Sequence, residues 1–562
     1  MNTDKEGLVV LAELFFQKGG KTVIVSPGSR NAPIFKAFQC HSEIECVSIV
    51  DERAAAFFAL GIAQSTGRPV GLICTSGTAL LNYAPAMAEA FYQNLPLVAI
   101  TADRPSAWID QAEGQSIQQE GAFRNFSRYS IQMESEFRSE DERWFAERKI
   151  NEALNRALLG DRGPVHINVP LSEPLYQEKE WEQIRVKNIQ SAATWQQLTP
   201  EEEAETRTLW NASKRKMILC GSLPPNDSLN VVLSQLAERS DTVVLCETVS
   251  NLSGENLIST VDRALECLNT TDDTKPDLLI SIGAQVVSKR IKAFLRGAGI
   301  KHHWNFSKEF QVVDTFQSLN RIYPIEPVEL LSFLSDTSEV EDTGFKSSWL
   351  QAHQQGRKGH DAFLNQAPFS DLKAFGPLLQ HIPANYHLQL GNSSVVRYAQ
   401  LFESPHIRSQ RANRGTSGID GSASTAAGFG YGSKEPVVHI SGDISFLYDS
   451  NSLWNESLPK DFRIIVINNQ GGGIFRYIAG PRSVDGFEQY LETHHGLNLQ
   501  GIATTFGLEY RASNNEAELE EQLKVFFSES NTARLLEVFT PRLDNAEVLK
   551  HYFTHLKDYN HG

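Results

Sequence analysis

Apolar positions fall into short β-rich runs separated by helical patterns and turn residues. Residues 22–25 (TVIV), 47–50, 70–74 and 97–101 are runs of four or five such positions, closed by Ser, Pro, Gly or Asp. They predict strands buried on both faces. The segment 54–65 is apolar on nearly every side and predicts a largely buried helix. The rhythm returns at 217–219, 243–245 and 278–282, and again at 437–440 and 463–467. Strands alternating with helices predict open, parallel, doubly wound α/β sheets. Two polar stretches interrupt the pattern. One spans 177–205 and ends in Glu201-Glu202-Glu203, which reads as a solvated helix start. The other, 335–370, is broken by Gly and Ser. They predict three α/β domains: 1–180, 200–340 and 370–562.

The length of 562 residues agrees with three cores rather than one. A formal net charge of −16 argues against a general binder of nucleic acid or anionic membranes. An anionic substrate must therefore be met by local Arg and Lys groups. The six cysteines are scattered and form no CxxC pair, as expected of core residues in a reducing compartment. The N-terminus, MNTDKEG, is polar, and no apolar run is long enough to cross a bilayer. The cytoplasm is the expected location.

Candidate chemistry concentrates in 438–475, VHISGDISFLYDSNSLWNESLPKDFRIIVINNQGGGIF. It reads as strand, tight turn, helix, strand and Gly-rich loop. In a parallel βαβ unit both strands end on one edge of the sheet, so Asp443 and Asn469 arrive side by side there. A carboxylate, an amide oxygen and a loop carbonyl are hard oxygen ligands suited to Mg²⁺ with phosphate and water. Glu52 opens the apolar helix after the second strand run. An isolated Glu there is an ordinary first-turn acid, but flanking Ala54, Ala55 and Phe57 would desolvate its carboxyl and raise its pKa. His494-His495 lies in a polar segment and reads as surface.

The spacing of Gly442-Asp443 from Asn468-Asn469 resembles the thiamine-diphosphate enzyme motif. That likeness implies three domains, pyrimidine-binding, central and diphosphate-binding, with thiamine diphosphate and Mg²⁺ (or Mn²⁺) as cofactors. It implies metal ligation by Asp443, Asn469 and the Gly471 carbonyl. Ile444 stands where the family usually has Gly, at a position that supplies no ligand. A Glu at the position of Glu52 touches the cofactor's pyrimidine ring and favours the tautomer that deprotonates thiazolium C2.

Longer motifs resemble one branch of that family: SPGSRNAP (26–33), VDERAAAFFALG (50–61), CTSGTALLNYAPA (74–86), TADRP (101–105), GNSSVVR (391–397), NRGTSGIDGSASTAAG (413–428) and NNQGGGIF (468–475). That branch decarboxylates 2-oxoglutarate and adds the resulting acyl carbanion equivalent to isochorismate in menaquinone biosynthesis. The matching basic positions are Arg30, Arg104, Lys289, Arg290, Arg397 and Arg414. Guanidinium groups suit these dicarboxylates because they bind carboxylate bidentately. The resemblance makes Arg397, Arg414 and Ser393 active-site groups beside Glu52. It makes Ser29 and Gln115 isochorismate-side donors, and Ile474 and Phe475 apolar walls. Thr78, Gly415, Ile419 and Gly442 become further cofactor contacts, Ile419 supporting the bent cofactor.

In this family the cofactor lies between the first domain of one subunit and the third of another. The expected unit is a homodimer, or a dimer of such dimers. The alternatives are an acetolactate-synthase-like carboligase acting on pyruvate, or a non-catalytic binder of the same fold. The Arg set disfavours the first. Glu52 together with Asp443 and Asn469 disfavours the second.

Overall fold

The computed structural model describes residues 1–559 except 183, 193–195, 310, 338–340 and 479. Three six-stranded sheets, all parallel, carry the fold. The first contains Thr22–Val25, Glu45–Ser48, Val70–Cys74, Leu97–Asp103, Tyr129–Gln132 and Val165–Pro170. Numbered by their succession in the chain, these strands lie in the order 2-1-3-4-6-5. The third sheet contains His387–Leu390, Ser409–Ala412, Val437–Gly442, Arg463–Asn468, Glu509–Ser513 and Arg534–Phe539, and repeats the order 2-1-3-4-6-5. The middle sheet, built on Lys216–Cys220, Thr242–Cys246, Leu257–Ile258, Leu278–Ile282, His302–Phe306 and Arg321–Tyr323, runs 3-2-1-4-5-6. In every sheet the first strand in the chain lies inside, with later strands on both sides of it. The crevice where the order reverses is where such sheets bind ligands, beyond the carboxyl ends of the strands.

Central strands are buried along their whole length, as the uninterrupted apolar runs require. Leu97–Asp103 and Arg463–Asn468 have no exposed residue. The second strand is displaced from the expected 47–50. It is Glu45–Ser48, and only the Ile49 amide continues the ladder, to the Val25 carbonyl at 3.1 Å. The chain then turns so that Asp51 can cap the next helix, its carboxylate accepting from the Ala54 amide at 3.1 Å.

The polar stretch 335–370 is not a plain connection. It holds a helix of 22 residues, Phe345–Gln366. Its buried stripe, Phe345, Trp349, Ala352, His353, Gly356, Gly359 and His360, keeps helical spacing. Two of those positions are glycine because the neighbours come close. A Cβ on Gly359 would stand 3.0 Å from Leu556, and one on Gly356 3.3 Å from Arg263. In the first polar stretch, Thr199 caps Pro200–Ala212 and Glu201, Glu202 and Glu203 form its exposed first turn, as expected.

The first and third sheets are joined by two helices, Glu52–Thr66 and Ser422–Ser433, packed almost backbone to backbone. A Cβ on Gly61 would lie 2.0 Å from the Thr425 carbonyl oxygen, and one on Gly428 1.9 Å from that of Phe58. Small residues are obligatory at such a contact. Ala54, Ala55, Ala59, Ala423, Ala426 and Ala427 fill the surroundings in one shared core. Gly428→Ala must push the two helices apart and should cost about 1–3 kcal/mol of stability. Urea unfolding would show the midpoint falling; an unchanged midpoint would mean the helices do not meet this closely.

Candidate active site

Val437–Gly442 pairs in parallel with Arg463–Asn468, Gly442 opposite Ile467. Asp443 therefore emerges beside Asn469. Asp443 opens the short helix Asp443–Tyr448 and is only 2 % exposed. Its carboxylate accepts from the Ile444 amide at 2.7 Å and the Gly471 amide at 3.0 Å. Gly471 has φ +150°, and a side chain there would meet the Glu492 carbonyl at 2.8 Å. The Gly-rich loop can thus fold back against Asp443 only as glycine.

Asn469 donates its amide N–H to Asp371 Oδ2 at 2.9 Å, while its Oδ1 is buried and has no hydrogen-bond partner. An orphaned acceptor beside a buried carboxylate fits a hard cation. Among the described residues no three His, Cys, Asp or Glu side chains gather as a metal cluster. A cation here would therefore take one carboxylate, the Asn469 amide oxygen and a loop carbonyl, and draw its other oxygens from a diphosphate and water.

A cavity of about 290 Å³ opens on this pair. Of the expected site residues it is lined by Ser393, Ile419, Gly442, Asp443, Asn469, Gly471, Ile474 and Phe475. Ile419 is 38 % exposed and so is not an ordinary packed isoleucine. Ser393 follows the first strand of the sheet at φ +67°, ψ −122°, a conformation that costs a non-glycine residue about 1–3 kcal/mol. The strained turn sets Ser393 on the cavity wall. A second cleft, of about 1000 Å³, shares Tyr398 and Ile474 with the first. It gathers Lys289, Arg290 and Arg397, from the middle and third regions. Arg290 pairs with Glu266 and lies over the Phe553 ring.

Arg414 is 7 % exposed and donates to Asn392 Oδ1 at 3.0 Å. Burial, with Arg397 nearby, pulls its pKa below the usual guanidinium range. Its loop is clamped from two sides. Asn392 donates to the Asn413 and Gly418 carbonyls, both at 2.7 Å. Glu89, reaching over from the first region, accepts from the Gly415 amide at 2.6 Å and the Thr416 amide at 2.7 Å.

Arg414 and Gly415 line neither cavity, and neither do the remaining expected residues, Ser29, Arg30, Glu52, Thr78, Arg104 and Gln115. The latter lie on loops and a helix start at the carboxyl edge of the first sheet. Ser29, Thr78 and Gln115 are exposed. Gln115 is held against the 75–78 turn, its Cα 3.0 Å from where a Gly77 Cβ would be. Arg30 donates to the Leu171 carbonyl at 2.6 Å, and Arg104 to that of Gly114 at 2.8 Å. Burial raises the Glu52 pKa, with Asp51 adding to it. Within the chain this helix start is tied to the far end of Asp443–Tyr448: Arg53 donates to the Tyr448 carbonyl at 2.7 Å, and Asn451 to Asp51 at 2.7 Å.

One expectation is corrected. His494 is exposed, but His495 is half-buried, with Nε2 3.4 Å from Asp443 Oδ2. That carboxylate holds the imidazole above its usual pKa. The loop 490–495 folds back on the Gly-rich turn, the Glu492 carbonyl accepting from the Gly472 amide at 2.6 Å, and this carries His495 inward. Sequence reasoning also missed Glu89, Asp371 and Glu247. Burial pushes Glu247 up to about 7 and Asp371 up to about 6. Glu247 accepts from the Val287 and Ser288 amides at 2.6 and 2.7 Å, fixing the turn before Lys289. Its one signal was its place directly after the strand Thr242–Cys246.

Parallel doubly wound sheets with an Asp–Asn pair at the carboxyl edge are the arrangement of thiamine pyrophosphate enzymes, and family profiles agree. Residues 6–123 match the N-terminal TPP binding domain of thiamine pyrophosphate enzymes, 175–375 their middle domain and 390–538 their C-terminal TPP binding domain. Full-length relatives narrow the class. The chain is 40% identical to 2-succinyl-5-enolpyruvyl-6-hydroxy-3-cyclohexene-1-carboxylate synthase of Porphyromonas gingivalis, over 99% of this chain and 98% of the relative. It is 41% identical to the synthase of the same name from Flavobacterium johnsoniae (97% and 98% covered) and 42% to that from Christiangramia forsetii (96% of each). The chain belongs to this synthase family.

The Glu89 clamp is directly testable. Glu89→Gln replaces a charged acceptor of two amides and should cost about 1.5–3 kcal/mol at that contact. Hydrogen exchange should accelerate at Gly415 and Thr416. Unchanged exchange there would show that Glu89 does not hold the loop.

Proposed function

We propose that the protein decarboxylates 2-oxoglutarate and adds the acyl unit to isochorismate, giving 2-succinyl-5-enolpyruvyl-6-hydroxy-3-cyclohexene-1-carboxylate and CO₂ in menaquinone biosynthesis. The observation that carries this is the cleft of Lys289, Arg290 and Arg397, which shares Tyr398 and Ile474 with the Asp443–Asn469 cavity. Thiamine diphosphate, when bound, supplies the electron sink for decarboxylation and carboligation. Asp443, Asn469 and the Gly471 carbonyl hold its Mg²⁺ or Mn²⁺, and Gly442, Gly415 and Ile419 contact the cofactor. Arg397 and Arg414 grip substrate carboxylate, with Lys289 and Arg290 on the outer wall. Ser393 presents a hydroxyl to the reacting centre. Ile474 and Phe475 keep water from it.

Glu52 holds the proton exchanged with the pyrimidine ring, and its desolvated setting suits that work. Thr78 contacts the cofactor on the same side. Ser29, Arg30, Arg104 and Gln115 receive isochorismate. Placed on the carboxyl edge of the first sheet, away from Asp443 in their own chain, these residues serve a partner's site. The active unit is a homodimer of chains divided at about 1–180, 200–340 and 370–562, able to pair into a dimer of dimers. No described helix is long and apolar enough to cross a membrane, and all six cysteines are unpaired, which fits a cytoplasmic enzyme.

Incubation with thiamine diphosphate, Mg²⁺, 2-oxoglutarate and isochorismate, followed by mass analysis of the product, tests the proposal. Turnover of pyruvate but not 2-oxoglutarate would overturn it. Arg397→Ala should lose about 1.5–3 kcal/mol of substrate binding, roughly ten- to a hundredfold. Titration of each substrate should show the loss for 2-oxoglutarate with cofactor affinity retained. Unchanged kinetics for both substrates would remove Arg397 from the site.

A further inference from the structure

Building on the cofactor reading above, we infer that Asp371 is a positioning residue that decides which end of the Asn469 amide faces the cation. The two ends of a carboxamide are nearly the same size, but only the oxygen can ligate a metal. The backbone at Asn469, just past its strand, does not by itself choose between them. Asp371 does, because both its oxygens are set as acceptors, Oδ1 toward Thr540 and Asn545 and Oδ2 toward Asn469. Its Oδ2 takes the Asn469 N–H at 2.9 Å and leaves Asn469 Oδ1 buried and unpaired. Both residues line the cavity that contains Asp443.

Asp371 stands outside the strand–helix–strand unit of the metal motif. It is the first residue of the helix Asp371–His381 and is 2 % exposed. Three parts of the chain hold it in place. Its Oδ1 accepts from Thr540 Oγ1 at 2.6 Å and Asn545 Nδ2 at 2.8 Å, and its own amide donates to Asn545 Oδ1 at 2.8 Å. Thr540 in turn donates its amide to the Asn468 carbonyl at 3.1 Å, which fastens the assembly to the strand end preceding Asn469. A buried acceptor is thereby fixed beneath one amide. Groups that orient metal ligands in this way typically change metal affinity 10- to 100-fold, so about that range is expected here.

The test compares wild type, Asp371→Asn and the exchanged pair Asp371→Asn with Asn469→Asp. Calorimetric titration of thiamine diphosphate at stepped Mg²⁺ concentrations reads the metal requirement without turnover. Mn²⁺ paramagnetic resonance reads the ion directly. In Asp371→Asn the new amide can donate to Asn469 Oδ1, turning the Asn469 N–H toward the cation. The Mg²⁺ concentration for half-saturation should rise about tenfold or more. The exchanged pair rebuilds the donor–acceptor contact with its roles reversed, the amide at 371 donating to the carboxylate at 469, and keeps an oxygen at the cation, so it should recover most of the affinity, which a merely structural role for Asp371 would not produce. Wild-type metal dependence in Asp371→Asn, or an exchanged pair no better than the single variant, would overturn the inference. Should the single variant not fold, the exchanged pair decides alone: folding with near-wild-type Mg²⁺ dependence supports the inference, and anything less overturns it. Wild type that binds no thiamine diphosphate with Mg²⁺ would instead refute the cofactor reading itself.

Discussion

A carboxylate as deeply buried as Asp443 must be compensated, because an unpaired buried charge is among the costliest features a fold can carry. Two amides and the edge of His495 answer part of that demand. Much of the neighbouring geometry follows. The Gly-rich loop returns so that its amide reaches Asp443, and glycine is needed because the Glu492 backbone leaves no room for a side chain. Asn469 is turned with its oxygen unpaired. A cation joined to a diphosphate satisfies both groups at once. Without one, the fold maintains a charge and an acceptor that it does not fully use.

The same economy explains the relation between the first and third sheets. They share one strand order, and each presents its switch point at a carboxyl edge. The third sheet offers Asp443, Asn469, an apolar cavity and Arg397. The first offers Glu52 and the loops bearing Ser29, Arg30, Thr78, Arg104 and Gln115. The glycine-lined contact between Glu52–Thr66 and Ser422–Ser433 holds the two sheets close, yet it brings Glu52 to the Tyr448 end of the helix Asp443–Tyr448 rather than to Asp443. Within one chain, Glu52 and Asp443 thus stand toward opposite ends of that helix. Under the proposed function, a second copy of the chain reunites them.

Much of this was legible in the chain. Strand cores such as 70–74 and 278–282 appear as uninterrupted β-rich runs because parallel strands are buried on both faces. Asp443, Asn469 and Gly471 lie within one βαβ unit, so their proximity follows from local order alone. What escaped depends on distant partners. Glu89 meets Gly415 across 326 positions, and Asp371 meets Asn469 across 98. No local pattern marks either acid. The helix Phe345–Gln366 was hidden for a different reason: close neighbours impose glycine at 356 and 359, residues that otherwise signal a break. The shared strand order of the outer sheets is a property of the path through space, and periodicity along the chain does not encode it.

The most direct test of a site divided between chains is recovery of activity in mixed dimers. Glu52→Gln and Asp443→Ala homodimers should each be nearly inactive. When the two are unfolded together and refolded, random pairing of a two-fold dimer makes about half the dimers mixed. Each mixed dimer has one site with both defects and one with none. The account predicts recovery to roughly a quarter of wild-type activity. No recovery, with subunit exchange verified, would contradict it, because every site would then take Glu52 and Asp443 from the same chain.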